Sequence, residues 1–144
     1  MPNTAAKTVE AQQKQSQASK RATLDQLVGK APSTTEFSIY FSDGNGGSNE
    51  LTLKYRAIGM RAYDKLVSEH PPKASERAEG ASFNLDTFAP ALIAACSVEP
   101  QITPGEARAI WDSPDWSRGD VMVLFRHAVD VNNRGLDVPF TESD

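Results

Sequence analysis

The side chains of this chain that could carry out chemistry are few, because it contains one cysteine and two histidines. A zinc site needs several such groups together, since zinc takes three or four nitrogen, sulfur or carboxylate ligands. Cys96, His70 and His127 fall in three separate segments, without the usual spacing of metal ligands. We therefore predict no metal and no cofactor, a buried thiol, and two imidazoles at or near the surface.

Nucleophilic catalysis would require Cys96 to act with His127. A reactive thiolate needs a positive charge or a helix N-terminus nearby, whereas Cys96 lies in the apolar run LIAACSV, at the predicted end of a helix. Free cysteine in such a run usually packs as a small hydrophobic group. Asp112 and Asp115 lie in the turn WDSPDW, where capping is the commoner role of aspartate. The sequence therefore predicts no catalytic residues and a protein that is not an enzyme.

Charge is spread unevenly along the chain, whose formal net charge is −4. Residues 1–22 hold four basic side chains and one acidic one, so this arm carries +3 and the remainder −7. An acidic body disfavours nucleic-acid binding, which depends on clustered Lys and Arg. The arm has few apolar groups and is predicted to be disordered. Its basic residues leave open a small nucleic-acid-binding regulator.

The sequence predicts a cytoplasmic protein without a membrane partner. No apolar stretch approaches the roughly 18 residues needed to span a bilayer. The N-terminal segment lacks the apolar core of a secretory signal. A lone cysteine cannot form an intramolecular disulfide, so no oxidising compartment is required.

A β-hairpin is predicted at about residues 36–58. Apolar residues occupy every second position on both sides of the segment DGNGG, with Phe37, Ile39 and Phe41 before it and Leu51, Leu53 and Tyr55 after it. Such alternation around turn residues indicates two antiparallel strands joined by a loop of several residues. The glycines do not have the spacing of a phosphate-binding loop.

Helical patterns follow over about residues 59–133. The first predicted helix runs from Ile58 to Glu69 and is ended by Pro71, after which a polar linker extends to Ser82. The next helix is predicted to use Asp86 as its cap and to tolerate Pro90 in its first turn. A short helical turn is also predicted before the hairpin, over residues 23–29.

Two later helices have complete start signals. Thr103 and Glu106 form a capping box around Pro104. Ser117 caps the last helix, with Asp120 at its third position. The apolar stripe of that helix comprises Val121, Leu124, Phe125, Ala128 and Val131 or Asn132.

These elements predict an α+β fold that is mainly α, with an N-terminal β-hairpin followed by about four short helices. The strands precede the helices along the chain, which favours segregation of sheet and helices. Residues 23–140 are predicted to form a single globular domain. Residues 1–22 form the disordered arm and residues 141–144 a frayed tail.

Aromatic residues are the candidate partner contacts. Trp111 lies on the apolar stripe of its helix and is predicted to belong to the core. Trp116 lies in a turn between two helices, and Phe140 is the aromatic residue of the tail. Exposed aromatic residues commonly anchor protein partners, so Trp116 and Phe140 are the predicted partner-binding residues. The alternative for Trp116 is that it seals the junction of two helices. The chain is thus predicted to be a small interaction module.

The helical half resembles the tail assembly chaperones of long-tailed phages of actinobacteria. The likeness covers nearly half of the chain, and the matching segments keep their order: His70 to Pro72, Asp86 to Ala95, Glu99 and Pro100, Thr103 to Trp111, Trp116, and Phe125 to Asn132. Arg126 and His127 stand where an Asn-Ala pair is expected in the family. The predicted hairpin also departs from the all-helical fold known for some of these chaperones.

The resemblance implies a non-enzymatic protein of siphovirus tail assembly, located in the cytoplasm of the infected bacterial host. Tail chaperones bind the tape measure protein and keep it soluble until tail tube subunits polymerise around it, and the mature virion lacks them. The tail tube protein, a longer frameshift product of the same gene and self-association are further expected partners. The alternatives are a structural tail or neck protein of the virion, and the nucleic-acid-binding regulator.

Overall fold

The computed structural model of this chain describes residues 20–134. Most of the predicted arm, the last residues of the predicted domain with Phe140, and the whole predicted tail lie outside the described residues. The chain divides between Ala31 and Pro32 into two compact units. In the first unit, helix α1 (Leu24–Val28) is capped by Thr23, which accepts the N–H of Gln26. This helix confirms the helical turn predicted over residues 23–29.

The second unit contains the sheet and the remaining helices of the described chain. In order, its elements are β1 (Thr34–Ser42), β2 (Ser48–Arg56), α2 (Met60–Ser68), α3 (Ala74–Ala78), α4 (Leu85–Cys96), β3 (Ser97–Glu99), α5 (Pro104–Asp112) and α6 (Arg118–Asn133). The described residues are about 49% helical and 18% strand, with a three-stranded antiparallel sheet and six helices. The mixed, mainly helical class is confirmed. The prediction of a hairpin followed by about four helices missed the strand β3 and the short helix α3.

The predicted hairpin is confirmed, and the structure supplies its register. Phe37 pairs with Leu53, and Ile39 pairs with Leu51. In the connecting loop, the Asp43 carboxylate accepts the backbone N–H groups of Asn45 at 2.7 Å and Gly47 at 3.1 Å. The glycines of this loop therefore serve the turn that reverses the chain.

The third strand was not predicted from the sequence. β3 pairs antiparallel with β2, with Ser97 opposite Tyr55. Three residues are too short to display a period of two along the sequence. The strand forms because α4 ends beside β2 and delivers the chain to that edge of the sheet.

The core lies between one face of the sheet and the helices α4 and α6. The sheet contributes Phe37, Leu53 and Tyr55, and α4 contributes a group around Phe88 and Leu92. The predicted apolar stripe of α6 is buried, and Val131 rather than Asn132 is its last buried residue. Tyr55 is fully buried and its hydroxyl donates to the backbone carbonyl of Leu124 at 3.1 Å.

The start of α4 was predicted incorrectly. Asn84, rather than Asp86, is the N-cap and accepts the N–H of Asp86. Pro90 therefore lies beyond the first turn, where it cannot donate the N–H that the Asp86 carbonyl would receive in an unbroken helix. The guanidinium of Arg108 donates to this carbonyl at 2.8 Å. A side chain of α5 thus compensates for the proline, which stays inside the helix.

The segment between α2 and α4 is more structured than the predicted polar linker, because it contains α3. The Glu76 carboxylate accepts the backbone N–H of Lys73 at 2.8 Å and that of Leu85 at 3.3 Å. One carboxylate therefore caps α3 and ties it to the start of α4. Across residues 20–134, no helix has the length and apolarity required to cross a membrane.

Candidate partner-binding groove

An open apolar groove lies beside the part of the hairpin nearest its loop, against α5 and the start of α6. Its volume is about 370 Å³. Its lining, which defines the hairpin groove, comprises Ile39, Phe41, Leu51, Thr52, Leu53, Pro100, Ile102, Ile110, Trp116 and Leu124. Thr52 is the single polar residue in this lining, and no titratable side chain belongs to it. The groove is therefore suited to holding apolar groups, and its lining contains no titratable acid or base.

The groove exists because the helices cover only part of the apolar face of the hairpin. Alternate side chains of a strand point to the same face, so Phe37 and Ile39 face the helices together with Leu51. Phe37 is 8% exposed where the helices cover the sheet, whereas Leu51 is 47% exposed nearer the loop. The apolar face of the hairpin thus extends beyond the area that the helices cover.

Trp116 forms a wall of the hairpin groove. Its backbone N–H donates to the carbonyl of Ser113, which follows α5, and the next residue, Ser117, caps α6. The indole meets the ring of Phe41 edge-on, with centroids 4.8 Å apart. The side chain is half-buried and also packs against the core. Its role as a partner-binding residue stays a prediction, as does that of Phe140.

Charged side chains border Trp116 on both sides. A depression of about 430 Å³ adjoins the groove and is lined by Asp115 and Asp120 as well as Phe41 and Trp116. A third, more polar depression also includes Trp116 and is lined by Arg108 and Arg118 together with Asp86 and Asp112. The depression next to Phe41 therefore has only acidic charged groups in its lining, whereas the third depression has both signs.

Trp111 connects two helices beside the core, in agreement with its predicted place on the apolar stripe of α5. It is half-buried and meets Phe125 edge-on, with ring centroids 6.4 Å apart. Its indole N–H donates to the carboxylate of Asp86 at 3.4 Å. Together with Arg108, which also contacts Asp86, it fastens α5 to the start of α4.

The cysteine and the histidines have separate surroundings. Cys96 is buried, and burial raises the pKa of its thiol. His127 stacks on Phe37 with ring centroids 4.0 Å apart, and burial lowers the pKa of its imidazole. His70 meets Phe88 edge-on. Within residues 20–134, no group of three or more His, Cys, Asp or Glu side chains could hold a metal ion.

Asn132 is the polar residue whose role the sequence did not reveal, since it was predicted only to lie near the end of the last helix, as the alternative to Val131 on the apolar stripe. Its side-chain oxygen accepts the backbone N–H of Ile58 at 2.9 Å. Its amide nitrogen donates to the Ala128 carbonyl at 2.7 Å and to the Cys96 sulfur at 3.1 Å. One side chain therefore joins α6, the end of α4 and the connection after β2.

Comparisons of the chain with protein-family models, curated proteins and solved structures gave no match.

Proposed function

We propose that this chain is a phage tail assembly chaperone that binds the tape measure protein through the hairpin groove and keeps it soluble during tail tube assembly. The observation that carries the proposal is the open apolar groove walled by Trp116. The resemblance of the helical half to tail assembly chaperones supplies the identity of the client. The protein would act without catalysis and be absent from the mature virion.

The size and openness of the groove suit a client that must later be released. Burying one side chain the size of leucine or phenylalanine contributes about 1.5–3 kcal/mol. A groove that admits few such side chains binds weakly on its own, so holding a long client requires repeated contacts. Weak individual contacts dissociate quickly, which lets tail tube subunits displace the chaperone.

The charges beside the groove indicate which client segments it would favour. Asp115 and Asp120 lie next to Phe41 and Trp116, at the edge of the apolar lining. Carboxylates at the rim of an interface steer basic partners towards it and disfavour acidic ones. Preferred segments would therefore carry Lys or Arg close to apolar residues.

The test is co-expression with the tape measure protein of the same phage, measuring how much of that protein remains soluble and co-purifies. Leu51→Glu places a charge in the groove at a residue that is already 47% exposed. We expect it to reduce co-purification about tenfold, which corresponds to losing about 1.4 kcal/mol of binding. The matched control is Met60→Glu, since Met60 is 73% exposed and lies outside the groove lining.

Trp116→Ala should also weaken co-purification, and its thermal unfolding separates two roles. A folded variant that loses the client supports a direct contact, whereas an unfolded variant shows that Trp116 is needed for packing. The proposal fails if Leu51→Glu and a folded Trp116→Ala both keep the tape measure protein soluble. Stoichiometric amounts of this chain in purified virions would instead support a structural tail or neck protein.

A further inference from the structure

One edge of the sheet presents a row of backbone groups that point away from β2. The Ser33 carbonyl accepts the N–H of Ala57 at 2.8 Å, and the Asp43 N–H donates to Gly47 at 3.1 Å. In the continuous register between them, odd-numbered residues of β1 therefore direct their N–H and C=O groups to β2. The even-numbered residues, from Glu36 to Ser42, direct theirs to the opposite edge. Among residues 20–134, no strand pairs with that edge.

β1 lacks the features that usually protect an edge strand. Its sequence, TTEFSIYFS, contains one charged residue and neither lysine nor proline. It pairs with β2 over nine residues without a bulge. Long, flat edges of this kind favour pairing with another strand. On the opposite side of the sheet, β3 is three residues long, pairs with β2 only at Lys54 and Tyr55, and is followed by Pro100.

We propose that β1 pairs with β1 of a second copy of this chain, antiparallel and about a two-fold axis at Ile39. Only even-numbered residues of the two strands can exchange backbone hydrogen bonds. The Thr34 carbonyl already accepts the guanidinium of Arg134 at 2.9 Å. The axis at Ile39 leaves Thr34 out of the pairing and uses every even-numbered residue from Glu36 to Ser42.

The side chains brought together by this register are compatible. Ser38 lies opposite Tyr40 of the second copy, and Glu36 lies opposite Ser42, so no like charges meet. On the helix-facing side, Phe37 lies opposite Phe41, and the two Ile39 side chains meet at the axis. Aromatic and β-branched residues are favourable cross-strand partners. The pairing is isologous and occupies the same edge on both copies, so it closes at a dimer.

The two-fold axis stands perpendicular to the joined sheet and therefore places both apolar faces on the same side. Ile39 belongs to the lining of each hairpin groove, so the two grooves meet at the axis. The pairing does not rest on the proposed function. Under that function, the dimer would offer a long client two contacts instead of one.

The first test uses the full chain over a range of concentrations. Sedimentation equilibrium should show a monomer at low concentration and a dimer at high concentration. Amide hydrogen exchange at Ser38, Tyr40 and Ser42 should slow by about tenfold or more as the dimer forms. Exchange at Phe37 and Ile39 should change little, because their N–H groups already donate to β2. A monomer at all concentrations overturns the proposal, and so does protection of the even-numbered amides that is independent of concentration.

The second test compares Ser38→Pro with Ser38→Ala. Both lose the hydroxyl contact that Ser38 makes with Thr52 at 3.2 Å. Only proline removes the outward N–H, and an edge strand tolerates proline at such a position. We expect Ser38→Pro to be monomeric and Ser38→Ala to dimerise. Dimerisation of a folded Ser38→Pro variant would place the interface elsewhere. Leu51→Glu should keep the dimer, so losing the client and losing the dimer are separate results.

Discussion

Asn132→Ala should be the most destabilising of the single amide truncations in α6, because two groups outside that helix depend on the side chain. The Ile58 N–H would lose its acceptor, and the Cys96 sulfur would lose its donor. The Ala128 carbonyl keeps its bond within the helix and is little affected. Leaving a buried N–H without a partner costs about 1–3 kcal/mol, and the bond from Ile58 is partly buried. We therefore expect a loss of about 2 kcal/mol in the free energy of unfolding.

Asn133→Ala is the matched control. The adjacent asparagine donates only to the Val129 carbonyl in its own helix, at 2.8 Å. Both substitutions exchange the same residue types, so the change in helix propensity cancels between them. Asn133→Ala should therefore change the free energy of unfolding by less than about 0.5 kcal/mol, as is usual for substitutions that orphan no buried group.

The measurement is chemical denaturation of both variants, supported by thermal unfolding. For a domain of this size, 1 kcal/mol corresponds to a shift of roughly 4 °C in Tm, so Asn132→Ala should melt about 6–8 °C below the control. Hydrogen exchange of the Ile58 amide should accelerate in Asn132→Ala only. If the two variants unfold at the same denaturant concentration, the contacts of Asn132 with Ile58 and Cys96 do not stabilise the fold and our reasoning is wrong.

Three further predictions concern caps and titrating groups. Thr103→Ala and Ser117→Ala should each lower the free energy of unfolding by about 1 kcal/mol in denaturant titrations, since each hydroxyl accepts an N–H in the first turn of its helix. Burial raises the pKa of Tyr55 above its usual 10.0, so the unfolded chain loses the Tyr55 proton first as the pH rises. The stability that Tyr55 contributes should therefore be complete below pH 10 and decline above pH 10, and Tyr55→Phe should remove this part of the decline in unfolding titrations. Burial lowers the pKa of His127 below its usual 6.5, so the unfolded chain takes up that proton first and stability should fall as the pH drops below 6.5. His127→Gln should flatten this acid decline in unfolding titrations, and an unchanged slope would refute the assignment.

The local elements could be predicted from the sequence because their causes lie within a few residues. Alternating apolar residues around DGNGG specify the hairpin, since the period of two acts along each strand. The start of α5 is equally local, because Thr103 and Glu106 bond to each other's backbone N–H groups. The stripe of α6 follows from helical periodicity.

The candidate site could be predicted only in part. Trp116 was singled out because it lies in a turn between two helix caps, and it does line the groove. The other groove residues, such as Leu51 and Ile110, look like core residues in the sequence. Their exposure depends on where the helices stop covering the sheet, and no local sequence pattern determines that position.

The remaining features were decided by contacts between segments that are distant in the chain. Pro90 is accommodated inside α4 because Arg108 reaches the Asp86 carbonyl from another helix. Asn132 supports the Ile58 N–H across 74 residues of sequence. Local sequence fixes which backbone groups a helix or turn satisfies by itself. Only tertiary packing brings a partner to the groups that remain, and it also determines which part of an apolar face stays uncovered.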